Sequence, residues 1–156
     1  MKKLIVFSAV LFFTSVLPAA LVLTGSDTIE QGDTITLSLI TDAPGDQEGY
    51  VWLDYASGNS AGDSLSNLVY SPPVTVMSYL PDGFYFSSMG TTVNVNSVLV
   101  QFDLTDTGTA LGGYIQVDIL DATASTILGS YQIEVVPEPM TLSLLVLGGM
   151  AIRKRK

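Results

Sequence analysis

Carboxylates are the side chains of this sequence that offer the most chemistry. The chain contains fifteen Asp and Glu, six Lys and Arg, and neither His nor Cys. A serine nucleophile would lack its usual histidine base, and zinc would lack its two favoured ligand types. Two carboxylates can hydrolyse a glycosidic bond, and Asp103 with Asp106, or Asp118 with Asp121, could form such a pair. That reaction also needs a substrate cleft, for which this small domain leaves little chain, so we expect a protein that is not an enzyme.

The same four carboxylates are the candidates for a metal site, and Ca²⁺ is the ion that suits them. Hard oxygen ligands gathered at loops bind Ca²⁺, and residues 103–108 place two acids beside a glycine turn. This segment matches the EF-hand loop poorly, because it lacks later oxygen ligands and a closing Glu. The alternative is that all four are solvated acids at turns and strand ends and that no cofactor is bound.

Aromatic side chains provide a second candidate site. In an extended strand that starts at Tyr50, the side chains of Tyr50, Trp52 and Asp54 share one face. If Val51 and Leu53 on the other face are buried, Tyr50 and Trp52 become an exposed platform on which a sugar can stack. Asp54 would then be placed to bond sugar hydroxyls. The alternative is that Trp52, the single Trp of the chain, lies in the core, because Trp is highly buried on average.

The charge distribution restricts the classes of partner. Every acid lies between Asp27 and Glu138, whereas every base is Lys2, Lys3 or one of the last four residues. The middle of the chain therefore has a net charge of about −15, which disfavours nucleic acids and anionic membrane surfaces. Because there is no Cys, no disulfide stabilises this part, and the domain depends on its core alone.

The middle of the chain has the pattern of β-strands throughout. Residues 34–39 alternate apolar and polar side chains, the period of a half-buried strand, and residues 115–119 and 131–135 do the same. Clusters rich in Gly, Pro, Asn and Asp separate these segments. Eight or nine such strands predict an all-β domain over residues 21–136, an antiparallel β-sandwich of jelly-roll or immunoglobulin-like type, with Val100 and Val117 in its core. The remaining predicted strands are 21–24, 50–55, 67–70, 74–79, 84–87 and 92–96 continued by 98–104.

This domain also resembles cohesin-type sandwiches. Residues 31–37 (QGDTITL), followed after a turn by residues 49–55 (GYVWLDY), are similar to the opening strands of those domains. Residues 98–104 (VLVQFDL) and the strand after them are similar to the later strands. The resemblance implies a cohesin-like sandwich, but a shared fold does not imply dockerin binding.

The first twenty residues have the organisation of a secretory signal peptide. Lys2 and Lys3 form a charged segment, residues 4–17 are an apolar run, and Pro18, Ala19 and Ala20 supply small residues near a cleavage point. Cleavage after Ala20 is favoured over cleavage after Ala19, and an uncleaved anchor is the alternative. We therefore expect export across the inner membrane and cleavage by signal peptidase.

The C-terminal segment has three ordered parts. Residues 136–139 (VPEP) contain two prolines that fix φ and remove backbone donors, so this stretch should be extended and solvated. The apolar run 140–152 would reach about 20 Å as a helix, and a bilayer span takes roughly 20 residues. Such a segment suits transient rather than permanent residence in the inner membrane. The chain closes with four bases, Arg153, Lys154, Arg155 and Lys156, which should start on the cytoplasmic side.

These three parts resemble the PEP-CTERM sorting signal of exosortase substrates. Pro137, Glu138 and Pro139 form the motif, and Met140 stands where the family often has Ser or Thr. The resemblance implies that an exosortase-type sorting protease recognises the motif and removes the tail near it. It also implies delivery to the cell surface or extracellular matrix of an outer-membrane bacterium that makes exopolysaccharide.

Together these patterns divide the chain into a signal peptide (1–20), a β-sandwich domain (21–136) and a sorting signal (137–156). We expect an exported surface or matrix protein with a structural or adhesive role, linked to exopolysaccharide or biofilm. The alternative is a displayed module that binds carbohydrate or a protein partner, and exposure of the Tyr50 and Trp52 side chains would favour that alternative.

Overall fold

The computed structural model describes residues 21–55 and 62–138, which form two β-sheets packed face to face. These residues contain strands and no α-helix, so the predicted all-β sandwich is confirmed. No helix that is long and apolar enough to cross a membrane occurs within these two ranges. The expected signal peptide, Pro139, the apolar run 140–152 and the basic tail lie outside the described residues.

Ten strands follow one another along the described chain. They are β1 (Leu21–Thr24), β2 (Thr28–Glu30), β3 (Thr34–Thr41), β4 (Glu48–Leu53), β5 (Ser64–Tyr70), β6 (Thr75–Leu80), β7 (Gly83–Ser87), β8 (Val98–Thr105), β9 (Tyr114–Leu120) and β10 (Ile127–Val136). One sheet has the order β1-β3-β8-β5, and the other has the order β2-β10-β9-β4-β7-β6. Strands β5 and β6 therefore lie at adjoining edges of the two sheets.

Strand β2 departs from the sequence prediction in two ways, since it was not predicted and it pairs in parallel with β10. It has three residues, of which only Ile29 is buried, so it offers no alternation to detect. The chain changes sheets between β1 and β2 at Gly25, whose φ is +154°. A Cβ at this position would lie 2.6 Å from the Leu37 side chain, so the crossing requires glycine.

The predicted strand at residues 92–96 is wrong. Val93 forms only an isolated bridge with Gly45, through backbone hydrogen bonds of 2.8 and 3.1 Å. Val93 is buried while Val95 is exposed, and Asn96 has a φ of +60° where the chain turns into β8. The alternation of apolar and polar residues here therefore belongs to a loop that buries one valine, and it does not mark a strand paired along its length.

The core lies between the two sheets and contains the side chains that alternation assigned to it. Val100 of β8 and Val117 of β9 are fully buried, as predicted. Phe84 of β7 and Phe102 of β8 meet across the sheets, with ring centroids 5.2 Å apart at an angle of 69°. An edge-to-face pair of this kind adds about 1 kcal/mol beyond the area it buries. All of these core residues lie within residues 21–136.

Candidate functional site

The outer surface of the six-stranded sheet carries the predicted aromatic site. On β4, Val51 and Leu53 are fully buried, so Tyr50, Trp52 and Asp54 point away from the core. The Trp52 side chain is 36% exposed. The alternative that Trp52 fills the core is therefore wrong, because the buried face of β4 is the one with Val51.

Trp52 owes its position to the residue opposite it on β7, Gly83. A Cβ built on Gly83 would collide with the Cε3 atom of the indole and would lie 2.7 Å from the Val51 carbonyl oxygen. The absence of a side chain at Gly83 lets the indole lie against the backbone of β7. The ring is thereby presented as a platform on the sheet surface.

A second pair of rings adjoins Trp52. Tyr50 and Tyr85 are cross-strand partners with ring centroids 4.8 Å apart and an interplanar angle of 48°. The Tyr85 hydroxyl donates a hydrogen bond of 3.1 Å to the Glu48 carboxylate. Next to these rings, a shallow pocket of about 350 Å³ is lined by Tyr50, Trp52, Leu120 and Ala124.

A hydrogen-bonded polar row runs beside the aromatic rings. Asp118 of β9 lies directly opposite Trp52 and is only 5% exposed. The Gln116 amide donates to Asp54 Oδ2 at 3.3 Å and to Asp118 Oδ1 at 3.0 Å. The Ser130 hydroxyl donates to the same Oδ1 at 2.6 Å, and the Gln132 amide donates to Gln116 Oε1 at 3.1 Å.

We call this surface the Trp52 face and define it by Tyr50, Trp52, Asp54, Tyr85, Gln116, Asp118 and Leu120. It combines flat rings with fixed carboxylate and amide oxygens. Rings provide stacking area, and the half-buried Asp54 carboxylate can accept hydrogen bonds from hydroxyl or amino groups of a ligand, while the buried Asp118 fixes Gln116 and Ser130. Of the predicted carbohydrate contacts, all three lie on this face, and Gln116, Asp118 and Tyr85 join them. Sequence reasoning missed this extension because it depends on which strands are neighbours in the sheet.

The four predicted metal ligands are not brought together. Asp103 lies on the outer surface of the four-stranded sheet, where Thr36 Oγ1 and Asn67 Nδ2 each donate to its carboxylate at 2.7 Å. These two donors lower its pKa below the ordinary value. Asp118 is part of the Trp52 face on the other sheet, and Asp106 and Asp121 lie in separate loops. Within the described ranges no group of three or more potential metal-binding side chains occurs.

Asp106 and Asp121 each hold a loop through backbone amides. Burial of Asp106 would raise its pKa, but backbone N–H groups of Gly32, Thr109 and Gly108 donate to it and leave the pKa below the ordinary value. Asp121 accepts hydrogen bonds from Ser125 and Thr126 amides in the β9–β10 turn. The Ser125 amide is the largest cause of the lowering of its pKa to about 2.

Asp63, which the sequence did not single out, supports the same loop as Asp106. It is 2% exposed, and it accepts hydrogen bonds from the Thr107 amide and the Thr109 hydroxyl, each at 2.8 Å. Thr109 therefore joins both buried carboxylates, since its amide donates to Asp106 at 2.9 Å. Of the predicted metal ligands, Asp106 is thus occupied, together with Asp63, in fixing the loop that follows β8.

The described residues of the predicted sorting motif, Pro137 and Glu138, follow the last strand directly. The backbone carbonyl of Val136, the last residue of β10, accepts a hydrogen bond of 3.2 Å from the Gln31 amide. Pro137 and Glu138 come next and line a small pocket of about 140 Å³ with Gln31 and Leu111. The first two motif residues therefore lie against the folded domain rather than on an extended tether.

Comparisons with known proteins support the fold of this chain and nothing beyond it. No family model matches the sequence, and no curated protein matches it. Among solved structures, the chain is similar to a cohesin module from the family 33 glycoside hydrolase of Clostridium perfringens ATCC13124. The TM-score is 0.54 and the sequence identity is 13%, over 77% of this chain and 98% of that module. The cohesin-like sandwich expected from residues 31–55 and 98–120 is confirmed as a fold, and at this identity nothing further is transferred.

Proposed function

We propose that this chain is an exported binding module that takes a neutral polysaccharide on the Trp52 face. The observation that carries the proposal is the exposed Trp52 indole, laid on Gly83 and bordered by the Asp118, Gln116 and Asp54 row. The proposal is a binding rather than a catalytic role. The likeness to a cohesin module supports a binding module in general and does not identify the ligand.

The chemistry of the face favours a sugar chain without acidic groups. Pyranose rings have apolar faces that stack on aromatic side chains, and their hydroxyls donate to carboxylate and amide oxygens. The middle of the chain has a net charge of about −15 and no base, so a uronic acid polymer would be repelled. A neutral exopolysaccharide fits both the rings and the charge.

The route to the outside is the second part of the proposal. The signal-peptide pattern of residues 1–20 and the PEP-CTERM pattern of residues 137–156 support export, cleavage by signal peptidase and sorting by an exosortase-type protease. The protein would then reach the cell surface or extracellular matrix of an outer-membrane bacterium. Binding of matrix polysaccharide there would give it an adhesive role in the biofilm.

Affinity electrophoresis of residues 21–138 through gels that contain neutral or uronic acid polysaccharide tests the ligand proposal. We expect neutral polymer to retard the protein and Trp52→Ala to abolish the retardation. Tyr70→Ala is the control, because Tyr70 is 48% exposed and lies on β5 of the other sheet. Equal retardation of both variants, or retardation by no neutral polymer, would contradict the proposal.

A protein partner is the second candidate ligand, and the fold likeness to a cohesin module is the observation in its favour. The Trp52 face is a sheet surface with a shallow pocket, which also suits an interface with aromatic anchors. Competition separates the two ligands. Binding of a protein partner should be lost in the Trp52→Ala variant but should persist in excess polysaccharide. A contact that a glycan mediates should be lost in the variant and also in excess polysaccharide.

A further inference from the structure

The outer surface of strands β4 and β9 changes from polar to apolar along its length. At one end Asp54 and Gln116 are hydrogen-bonded neighbours, and the Gln116 amide donates to Asp54 Oδ2 at 3.3 Å. At the other end Tyr50 lies opposite Leu120. Trp52 lies between these two ends on β4. A sugar ring stacked on the indole therefore has a polar surface beside one edge and an apolar surface beside the other.

Leu120 and Ala124 bound the apolar end of the pocket beside Trp52, and we call this part of the pocket the Leu120–Ala124 corner. Neither side chain has a polar atom. Ala124 lies in the turn between β9 and β10, where its amide donates to the Asp121 carbonyl at 2.9 Å. The Ser125 amide donates to the Asp121 carboxylate, also at 2.9 Å. These donors of the turn are therefore engaged by Asp121 and are not offered to a ligand in the corner.

We propose that the Trp52 face selects neutral sugars that carry a methyl group, and that this methyl group fills the Leu120–Ala124 corner. The inference rests on the proposed polysaccharide binding and names its substrate class. A hydroxyl group in the corner would give up hydrogen bonds to water and would gain none from the two side chains. A methyl group gives up none, and its removal from water is favourable. The opposite edge of the same sugar keeps its hydroxyls, because that edge faces Asp54.

Two kinds of neutral sugar present such a methyl group. An O-acetyl ester carries it at the end of a short arm, and a 6-deoxy sugar carries it on a ring carbon. Both are uncharged, so the net charge of about −15 in the middle of the chain repels neither of them. Burial of one methyl group should tighten binding about fourfold.

Affinity electrophoresis of the full-length chain in a non-ionic detergent tests the proposal. The gels contain dextran, mannan or galactan, each with and without O-acetyl groups, and acetylation should tighten binding about fourfold. As competitors, 6-deoxy-D-galactose and D-galactose differ at carbon 6 alone, and they test the second source of the methyl group. Preference for the methyl-bearing form in neither comparison overturns the proposal, while retardation by the plain polymers still upholds polysaccharide binding. Retardation by no polymer contradicts the proposed function as well.

Ala124→Asn separates the corner from a general gain in the apolar character of the polymer. Ala124 has a φ of +54°, which Asn tolerates and already adopts at Asn67 and Asn96, so the variant should fold. Its amide can bond a sugar hydroxyl, so the preference for the methyl-bearing form should disappear while the plain polymer still binds. Met89→Asn is the matched control, because Met89 has a φ of +52° and does not line the pocket. An unchanged preference in Ala124→Asn, or an equal loss in Met89→Asn, overturns the proposal.

Discussion

The Trp52 indole lies directly over Gly83, and this contact fixes the one tryptophan of the chain on the outside of the sheet. Gly83→Ala should therefore displace the ring and distort the strand pair, since the new methyl would also approach the Val51 carbonyl. We expect a loss of about 2 kcal/mol in the free energy of unfolding, as for other overpacked sites. A red shift of the tryptophan emission should accompany it. Ala122→Gly, in the turn after β9, is the control for a change of one methyl group that does not touch the ring.

The burial of Val117 predicts that a charged side chain at this position unfolds the domain. Val117 is fully buried on β9, and Val117→Asp would place a carboxylate without a partner between the sheets. We expect the variant to be unfolded at 25 °C, with loss of the β-type far-ultraviolet spectrum and of cooperative melting. Tyr114→Asp, at an exposed position of the same strand, should remain folded. A folded Val117→Asp protein would mean that β9 is turned the other way.

Acid should act on this domain in two opposite ways. As the pH falls from 7 toward about 4, repulsion among fifteen acids weakens and the domain gains stability. The folded-state pKa values of Asp103, Asp106 and Asp121 are lowered, so each contributes stability that is present above the unfolded value. That contribution is lost as the pH falls from about 4 toward 2. Melting temperature should thus pass through a maximum near pH 4 to 5.

The Asp106 contribution can be isolated by substitution. Asp106→Asn keeps the shape but cannot accept all three backbone hydrogen bonds, and it should cost about 2 kcal/mol at pH 7. The cost should shrink as the pH falls through the lowered folded-state pKa of Asp106, because the wild-type carboxylate then becomes protonated. Asp27→Asn, at an exposed position, is the matched control. A cost that does not change from pH 7 down to the lowest pH at which the domain stays folded would show that the side chain acts through shape alone.

Calcium should stabilise the domain no more than sodium does at the same ionic strength. The predicted ligands Asp103, Asp106, Asp118 and Asp121 lie in separate places and already accept hydrogen bonds. Both salts screen the acidic surface and should raise the melting temperature equally. An additional rise with calcium that disappears in Asp118→Asn or Asp103→Asn would restore the metal hypothesis.

The sorting hypothesis predicts the mass and location of the exported protein. Intact mass should lack residues 1–20, within one residue, and the basic tail from Arg153. Glu138→Ala should leave the chain in the inner membrane, because it removes the acid of the motif. Normal release of that variant, or a surface protein that keeps Arg153 to Lys156, would count against an exosortase route.

Alternation along the chain was sufficient to predict most of the fold but little of the site. It placed Val100 and Val117 in the core, and it put Tyr50, Trp52 and Asp54 on one face of their strand without deciding which face is buried. It missed β2, which is too short to show a period. It also predicted a strand at residues 92–96, where only Val93 is buried and the alternation belongs to a loop. The Asp118 row depends on which strands are neighbours in the sheet. Strand order is not a local property, so the pattern along one strand does not predict it.

The attachment of the tail to β10 has a mechanical consequence. While the chain is held by its C-terminal end, any pull on a ligand at the Trp52 face passes from β4 through β9 into β10. The final ladder contact with β2 is made by Val136, and Pro137 follows it at once. Tension would therefore shear the hydrogen-bonded β9–β10 ladder along its whole length, from Ile127 to Glu134, instead of peeling it bond by bond. If the proposed sorting route holds the chain by its tail, this geometry would resist drag on a bound ligand, and cutting the tail would remove the domain from that force.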